Sequence, residues 1–205
     1  NEGHAAFIGL ERLRKMVEIR RLNFYEAVEI IRASTLFTTH TPVPAGHDAF
    51  NEDMIRTYLS YFAEKLNISW ETLMGLGRVR EDDNKEKFSM SVLACKFSQE
   101  VNGVSRIHGR VSRNMFNSLW DNYFPQELHI GYVTNGVHFP TWVAKPWWQL
   151  YNEYLPKEFI NDQSNPKMWA AISKVPDEKI WEVRSQLRKE LFDTIKIKLM
   201  EGLEN

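Results

Sequence analysis

Phe7, Leu10, Leu13, Met16 and Val17 recur at three- and four-residue spacing between Ala5 and Ile19, the repeat of one helix face. Asn23 then stands three residues before Glu26, the pairing of a capping box, and Phe24, Ala27, Val28 and Ile31 continue as a second helical face. Ser34 to Thr39 (STLFTT) is β-branched and aromatic and predicts a short buried strand. It runs into His40-Thr41-Pro42-Val43-Pro44-Ala45-Gly46-His47-Asp48, where two prolines and a glycine disfavour regular structure. Asp53 reads as the cap of a helix to about Leu66, with Met54, Ile55, Tyr58, Leu59 and Phe62 on one face. Ser69 opens a short helix that stops at Gly75 or Gly77. Arg80 to Lys87 (REDDNKEK) reads as a solvated charged loop. Phe88 to Phe97 is helical by pattern, Gly103 breaks it, and Val104 to Arg113 resumes a helix. Ile130 to Thr134 predicts a second strand, ending at Asn135-Gly136.

The remainder is helical. Trp142 to Tyr154 is one very aromatic helix and Pro166 to Ser173 a short one. Pro176 begins the last, with Asp177 and Glu178 in its first turn, where acidic side chains suit the helix dipole. Its apolar stripe is Ile180, Leu187, Leu191 and Ile195. The pattern therefore gives a helix-rich α/β chain with too few strands to complete a sheet. The best internal boundary lies near 155–176, where Pro156, Asn161, Asp162, Ser164, Pro166 and Pro176 accumulate. Asn1 stands in place of an initiator methionine, no basic-then-apolar leader follows, and both ends read as cut from something larger.

Composition narrows the function classes. The 205 residues carry 26 Lys+Arg against 27 Asp+Glu, a net charge of −1 that argues against nucleic acid or an anionic membrane as the main partner. Apolar runs are only a few residues long, too short to span a bilayer. Cys95 is the single cysteine, so an intrachain disulfide and a cysteine-rich metal cage are excluded, and a reducing, cytoplasmic home is expected. Aromatic residues reach 13%, with 7 Trp, material for a core or for platforms under sugars and flat cofactors.

The usual chemical signatures are missing. Gly75 and Gly77 are the nearest glycine pair, and no GxGxxG or Walker pattern follows a strand. The six histidines, His4, His40, His47, His108, His129 and His138, show no zinc spacing, and no metal site is expected. There is no GxSxG elbow, and Cys95 on an apolar helix face reads as inert core. His108 reads as a packing or helix-to-loop hydrogen-bonding residue, and Arg106, Arg110 and Arg113 as a solvated or ion-paired face. Two strand-end loops are the positive signal: Thr38-Thr39-His40-Thr41-Pro42 and Val133-Thr134-Asn135-Gly136-Val137-His138. In open α/β sheets ligands sit beyond the carboxyl ends of strands, although Asn-Gly is equally the chemistry of a plain turn.

Five segments in order, NEGHAAF (1–7), TTHTPVPAGHDAF (38–50), VNGVSRIHGRVSR (101–113), TNGVHFPTWVA (134–144) and VPDEKIWEVRSQLRKEL (175–191), make the chain resemble the α-glucan (glycogen/starch/maltodextrin) phosphorylase family in its short prokaryotic branch. The resemblance implies a partial glycosyltransferase B-type, Rossmann-like N-terminal lobe with long connecting helices. It places 1–155 in the glucan-binding lobe and 156–205 as a helical connector towards a C-terminal cofactor lobe. It implies phosphorolysis of an α-1,4-glucan to glucose 1-phosphate with retained configuration. Pyridoxal phosphate would act through its phosphate group, held by a lysine outside this chain, and the full-length parent would be a homo-oligomer.

Single positions follow by motif. His40 matches the histidine whose peptide carbonyl faces the reacting sugar and whose side chain holds its 6-hydroxyl. Asn135 matches the asparagine on that hydroxyl, and Val104 a residue lining the glucose pocket. Glu2, where the family more commonly has Asp, and His4 match residues beside the sugar. Trp142 matches a tryptophan beside the cofactor. His138, where longer members have Thr, receives no role. In Trp147, Trp148, Tyr151 and Tyr154 the dense spacing favours core over a sugar platform. An isolated chain of this length is expected to be inactive. The rival expectation is a non-catalytic glucan-binding or regulatory module derived from the enzyme.

Overall fold

The computed structural model describes residues 2–203. They divide into two compact units, Asn1–Asn135 and Gly136–Asn205. The composition shift at 155–176 lies inside the second.

The first unit begins with two helices, α1 (Phe7–Arg20) and α2 (Phe24–Ala33). Asn23 caps α2 in a full capping box: its side chain accepts from the Glu26 amide while the Glu26 carboxylate accepts from the Asn23 amide, both at 3.0 Å. Strand β1 (Leu36–Thr39) follows, then the proline loop and a two-residue strand β2 (Ala49–Phe50). Helix α3 (Glu52–Leu66) is capped at Asn51 rather than Asp53, leaving Glu52 and Asp53 in the first turn, where the dipole favours them. Its buried face is Ile55, Leu59, Phe62, Ala63 and Leu66; Met54 and Tyr58, expected on that face, are exposed. Ser69 caps α4 (Trp70–Gly75) as its spacing predicts.

The 80–87 run folds on its own charges. The Glu86 carboxylate accepts from the Val79 amide at 2.8 Å, and Arg80 pairs with Asp83 and Glu86. Strand β3 (Phe88–Ser89) pairs antiparallel with β2 and leads into α5 (Met90–Lys96). The segment expected to be a broken helix then contains a strand, β4 (Glu100–Gly103), before α6 (Arg106–Met115) and β5 (Ile130–Tyr132).

These three strands form a parallel sheet in the order β1-β4-β5. Thr39 lies in register with Gly103, and Gly103 with Tyr132. Phe37, Val101 and Ile130 stand in register across the three strands, so they share one face of the sheet, and they are buried to 2%, 2% and 1% exposure. The core beneath joins Leu10, Leu13, Ile31, Leu66, Leu73, Met74, Phe88 and Leu93.

In the second unit the expected Trp142–Tyr154 helix is broken at Val143-Ala144 into α7 (Phe139–Trp142) and α8 (Lys145–Tyr154). Pro146 opens the new first turn, where its missing amide costs nothing. Helices α9 (Pro166–Trp169) and α10 (Asp177–Leu203) complete it. Its core is aromatic: Trp169 meets the edge of Phe159 at 4.7 Å between centroids, and Phe139 touches Trp148, Tyr151, Phe159 and Trp169. Trp148 and Tyr151 thus pack in the core, as their spacing predicts. No described helix is long and apolar enough to cross a membrane.

Candidate active site

Parallel pairing with that register brings the carboxyl ends of β1, β4 and β5 to one edge. His40 follows Thr39, Val104 follows Gly103, and Asn135 lies three residues beyond Tyr132. Thr39 and Tyr132 sit on either side of Gly103, two strand spacings or roughly 10 Å apart. The loop after β5 is fastened to the middle strand: the Val133 amide donates to the Gly103 carbonyl at 3.0 Å and the Asn135 amide to the Val104 carbonyl at 3.4 Å. His40, Val104 and Asn135 therefore share one edge. His40 and Asn135 are exposed there and Val104 is half-buried.

At Gly103 the middle strand has no room for a side chain on the helix side. A Cβ on Gly103 would lie 2.8 Å from the Gly109 nitrogen, and one on Gly109 2.9 Å from the Gly131 oxygen, so α6 lies directly on β4 and β5. Ser105 caps α6 by accepting from the His108 amide at 3.1 Å. The His108 ring folds back, and its Nδ1 accepts from the Val104 amide at 3.2 Å. That is the helix-to-loop bond expected of this residue, and it fixes the turn presenting Val104. Thr38 Oγ1 donates to Asn102 Oδ1 at 3.1 Å, joining β1 to β4. Arg113 spends its Nε on the Ile130 carbonyl at 2.7 Å, while Arg106 and Arg110 are exposed.

Glu2 and His4 reach the same edge from the beginning of the described chain. The Glu2 amide donates to the Thr38 carbonyl at 2.8 Å. Its Oε1 accepts from the His40 amide at 2.6 Å and from the Thr41 hydroxyl at 3.4 Å. The Glu2 backbone holds φ 53°, ψ 161°, a combination that side-chain-bearing residues rarely adopt. Gly3 is buried against α5, where a Cβ would fall 2.7 Å from Ser91 Oγ. Ser91 in turn bonds His47 Nδ1 at 2.6 Å, and the His47 ring meets the edge of Phe116. Glu2, His4, Thr41, Asp48 and Ser91 line a cavity of about 130 Å³, and the His4 side chain is exposed.

Trp142 belongs to the second unit, at the end of α7, with 76% of its surface open. No group of three or more His, Cys, Asp or Glu among the described residues is placed to hold a metal ion. Cys95 is buried on α5, and burial pushes its thiol far above the usual range.

Sequence reasoning placed Thr38 in a strand-end loop but foresaw neither its bond to Asn102 nor the close approach of Gly109 at this edge. The Ser105 cap was the available signal, since a helix beginning at Arg106 leaves residues 100–104 for another element.

A sequence model for the carbohydrate phosphorylases matches residues 1–201. Glycogen phosphorylase of Mycobacterium tuberculosis is 41% identical over 98% of this chain, covering 23% of the relative. Maltodextrin phosphorylase of Thermococcus litoralis is 34% identical over 100% of the chain and 24% of the relative. Glycogen phosphorylase of Aquifex aeolicus is 32% identical over 98% of the chain and 28% of the relative. The chain spans about a quarter of the length of these curated relatives. With the family match running through both units and all the strand-end loops, the chain belongs to the carbohydrate phosphorylase family.

Proposed function

We propose that this chain forms the sugar-holding wall of a retaining α-1,4-glucan phosphorylase, as the later part of the N-terminal lobe of a B-type glycosyltransferase. Residues 1–155 then belong to the glucan-binding lobe, and 156–205 lead towards a C-terminal cofactor lobe. The observation that carries this reading is the shared edge. Three parallel strands end in register, and their loops carry His40, Val104 and Asn135 in the order the family motifs require.

The chemistry follows from that placement. Glycosyl transfer passes through an oxocarbenium-like state. A peptide carbonyl held at residue 40 opposes the growing positive charge without having to reorganise. The Asn135 amide can both donate and accept, which suits the sugar 6-hydroxyl. Val104 excludes water from the apolar side of the ring, and Glu2 and His4 stand beside it. Pyridoxal phosphate, bound by the full-length protein, supplies a phosphate that gives and takes a proton. On this chain only Trp142 is matched to it, and that indole face is open enough to lie against a flat ring. The partners are an α-1,4-glucan, inorganic phosphate and the other lobe, in a cytoplasmic homo-oligomer.

The test is glucose 1-phosphate release from maltooligosaccharide and phosphate by the full-length enzyme. Asn135→Ala is expected to lower kcat/KM by about 10- to 100-fold, the cost of one buried hydroxyl left unpaired. The isolated 205-residue chain is expected to give no turnover. Turnover by that chain alone, or an unaffected Asn135→Ala enzyme, would contradict the reading. Tight maltooligosaccharide binding by the isolated chain in calorimetry, without any phosphorolysis by the full-length protein, would favour a binding module.

A further inference from the structure

We propose that Glu2 is a positioning residue, whose carboxylate holds the His40 peptide in place instead of meeting the sugar. This rests on the reading of His40 as the residue facing the reacting glucose.

Three hydrogen bonds carry the inference. The Glu2 amide holds the last carbonyl but one of β1, at Thr38 (2.8 Å). One carboxylate oxygen takes the next free amide, at His40 (2.6 Å), and the Thr41 hydroxyl (3.4 Å). Glu2 therefore brackets residues 38–41 from both sides of the peptide to be aimed. An ionised acceptor makes this a strong bond, and the distance lies at the short end for an amide donor. With Oε1 so engaged, the carboxylate is turned towards the backbone of the loop.

The backbone of Glu2 supports the same conclusion. Its φ of 53° with ψ of 161° falls near a region that is essentially reserved for glycine. A strained non-glycine residue persists only where its surroundings over-determine it. Here they do: the amide is tied to β1, the side chain to His40, and Gly3 is wedged against Ser91 with no space for a Cβ. A glutamate is one methylene longer than an aspartate, which gives the carboxylate about 1.5 Å more reach towards the His40 amide. Peptide geometry at a reacting centre matters at this scale, because a misplacement of about 1 Å can cost about 100-fold in rate.

Two readouts test the proposal. The first is amide hydrogen exchange in this chain, with the Val101 amide, bonded within the sheet region to His129, as internal control. The second is steady-state phosphorolysis by the full-length enzyme. Glu2→Ala is expected to speed exchange at His40 by about tenfold or more while Val101 is unchanged. It is expected to lower kcat by about 10- to 100-fold with KM for glucan within about threefold. Glu2→Gln, which keeps a neutral acceptor, should recover much of both. Unchanged exchange at His40 in Glu2→Ala would overturn the proposal, since no clamp would then exist. Faster exchange with a raised KM and an intact kcat would overturn it too, by placing Glu2 on the bound sugar. If neither Glu2→Ala nor His40→Ala alters phosphorolysis although exchange at His40 rises, the reading of His40 fails, and the catalytic role of the clamp with it. Should Glu2→Ala not fold, the same two measurements on Glu2→Gln decide, with about three- to tenfold faster exchange and a matching loss of kcat expected.

Discussion

At the residue scale, side chains whose neighbours were already written nearby in the sequence are the ones that pattern explains. Asn23 and Glu26 form the box their spacing predicts, and His108 bonds the turn four residues back. Glu2 behaves differently, because its partner, the His40 amide, is 38 residues away and invisible to any local rule. Arg21 ends α1 at φ 59°, ψ 27°, a left-handed position where a side chain is unfavourable and glycine is not. Among the described residues no hydrogen bond or ion pair of its guanidinium offsets this, and the residue is exposed. Arg21→Gly is therefore expected to stabilise the chain by about 0.5–1 kcal/mol, read as a rise in the urea midpoint at unchanged m. Cys95 gives a pH prediction. Its thiol stays protonated in the fold because burial pushes its pKa far up, while in the unfolded chain it ionises near about pH 8.5. Its contribution is thus intact below that pH and is lost as the pH rises, by about 1.4 kcal/mol per unit. Unfolding free energies compared with Cys95→Ala between about pH 7.5 and 10 should show this extra slope only in the parent chain, and Cys95 should resist thiol reagents until the chain unfolds.

At the element scale, strand β4 separates what the sequence discloses from what the fold imposes. Glu100-Val101-Asn102-Gly103 has one β-branched residue, and its asparagine and glycine disfavour strands. It becomes the middle strand because pairing on both sides and a tight helix contact outweigh propensity. The same contact explains the glycines. Gly103 on β4 faces Gly109 on α6, and Gly109 faces the Gly131 carbonyl of β5, so the helix approaches the sheet more closely than any side chain permits. Gly109→Ala would push a methyl group to 2.9 Å from that backbone oxygen. Backbone cannot swing aside as a flexible side chain can, and overpacking of this kind costs about 1–3 kcal/mol. The expected result is a loss of that size in urea unfolding, with faster amide exchange at Val133 and Asn135 because their carbonyl partners, Gly103 and Val104, move with α6. Wild-type stability in Gly109→Ala would mean that the helix has room to lift. The corrected faces of α3 and the break between α7 and α8 have the same origin. Periodicity locates a helix, but burial and the entry angle of the chain decide which of its apolar residues turn inward.

At the scale of the whole molecule, hydrophobic pattern and burial part company in α10. The helix runs through 27 residues, about 40 Å. Ile180 and Leu187 are half-buried, in keeping with the expected stripe. Beyond them every described side chain from Arg188 to Met200 is exposed, including Leu191 (58%), Phe192 (56%), Ile195 (43%) and Leu199 (62%). The stripe thus continues in sequence after the packing that would use it has ended. A helical segment held only by its own hydrogen bonds is marginal at this length, since most helical stability in proteins comes from a packed face. Amide exchange should therefore divide α10 in two. Residues 177–187, attached to the second unit, should be protected with it, whereas 191–200 should exchange within about a hundredfold of an unstructured chain. Ending the chain after Arg188 should leave the midpoint for the aromatic core around Phe159 and Trp169 unchanged within about 2 °C. Strong protection across 191–200, or a large loss of stability on that truncation, would show that these apolar residues are buried in solution by a neighbour. In that case protection should weaken on dilution if the neighbour is a second copy of the chain, because only an intermolecular contact depends on concentration.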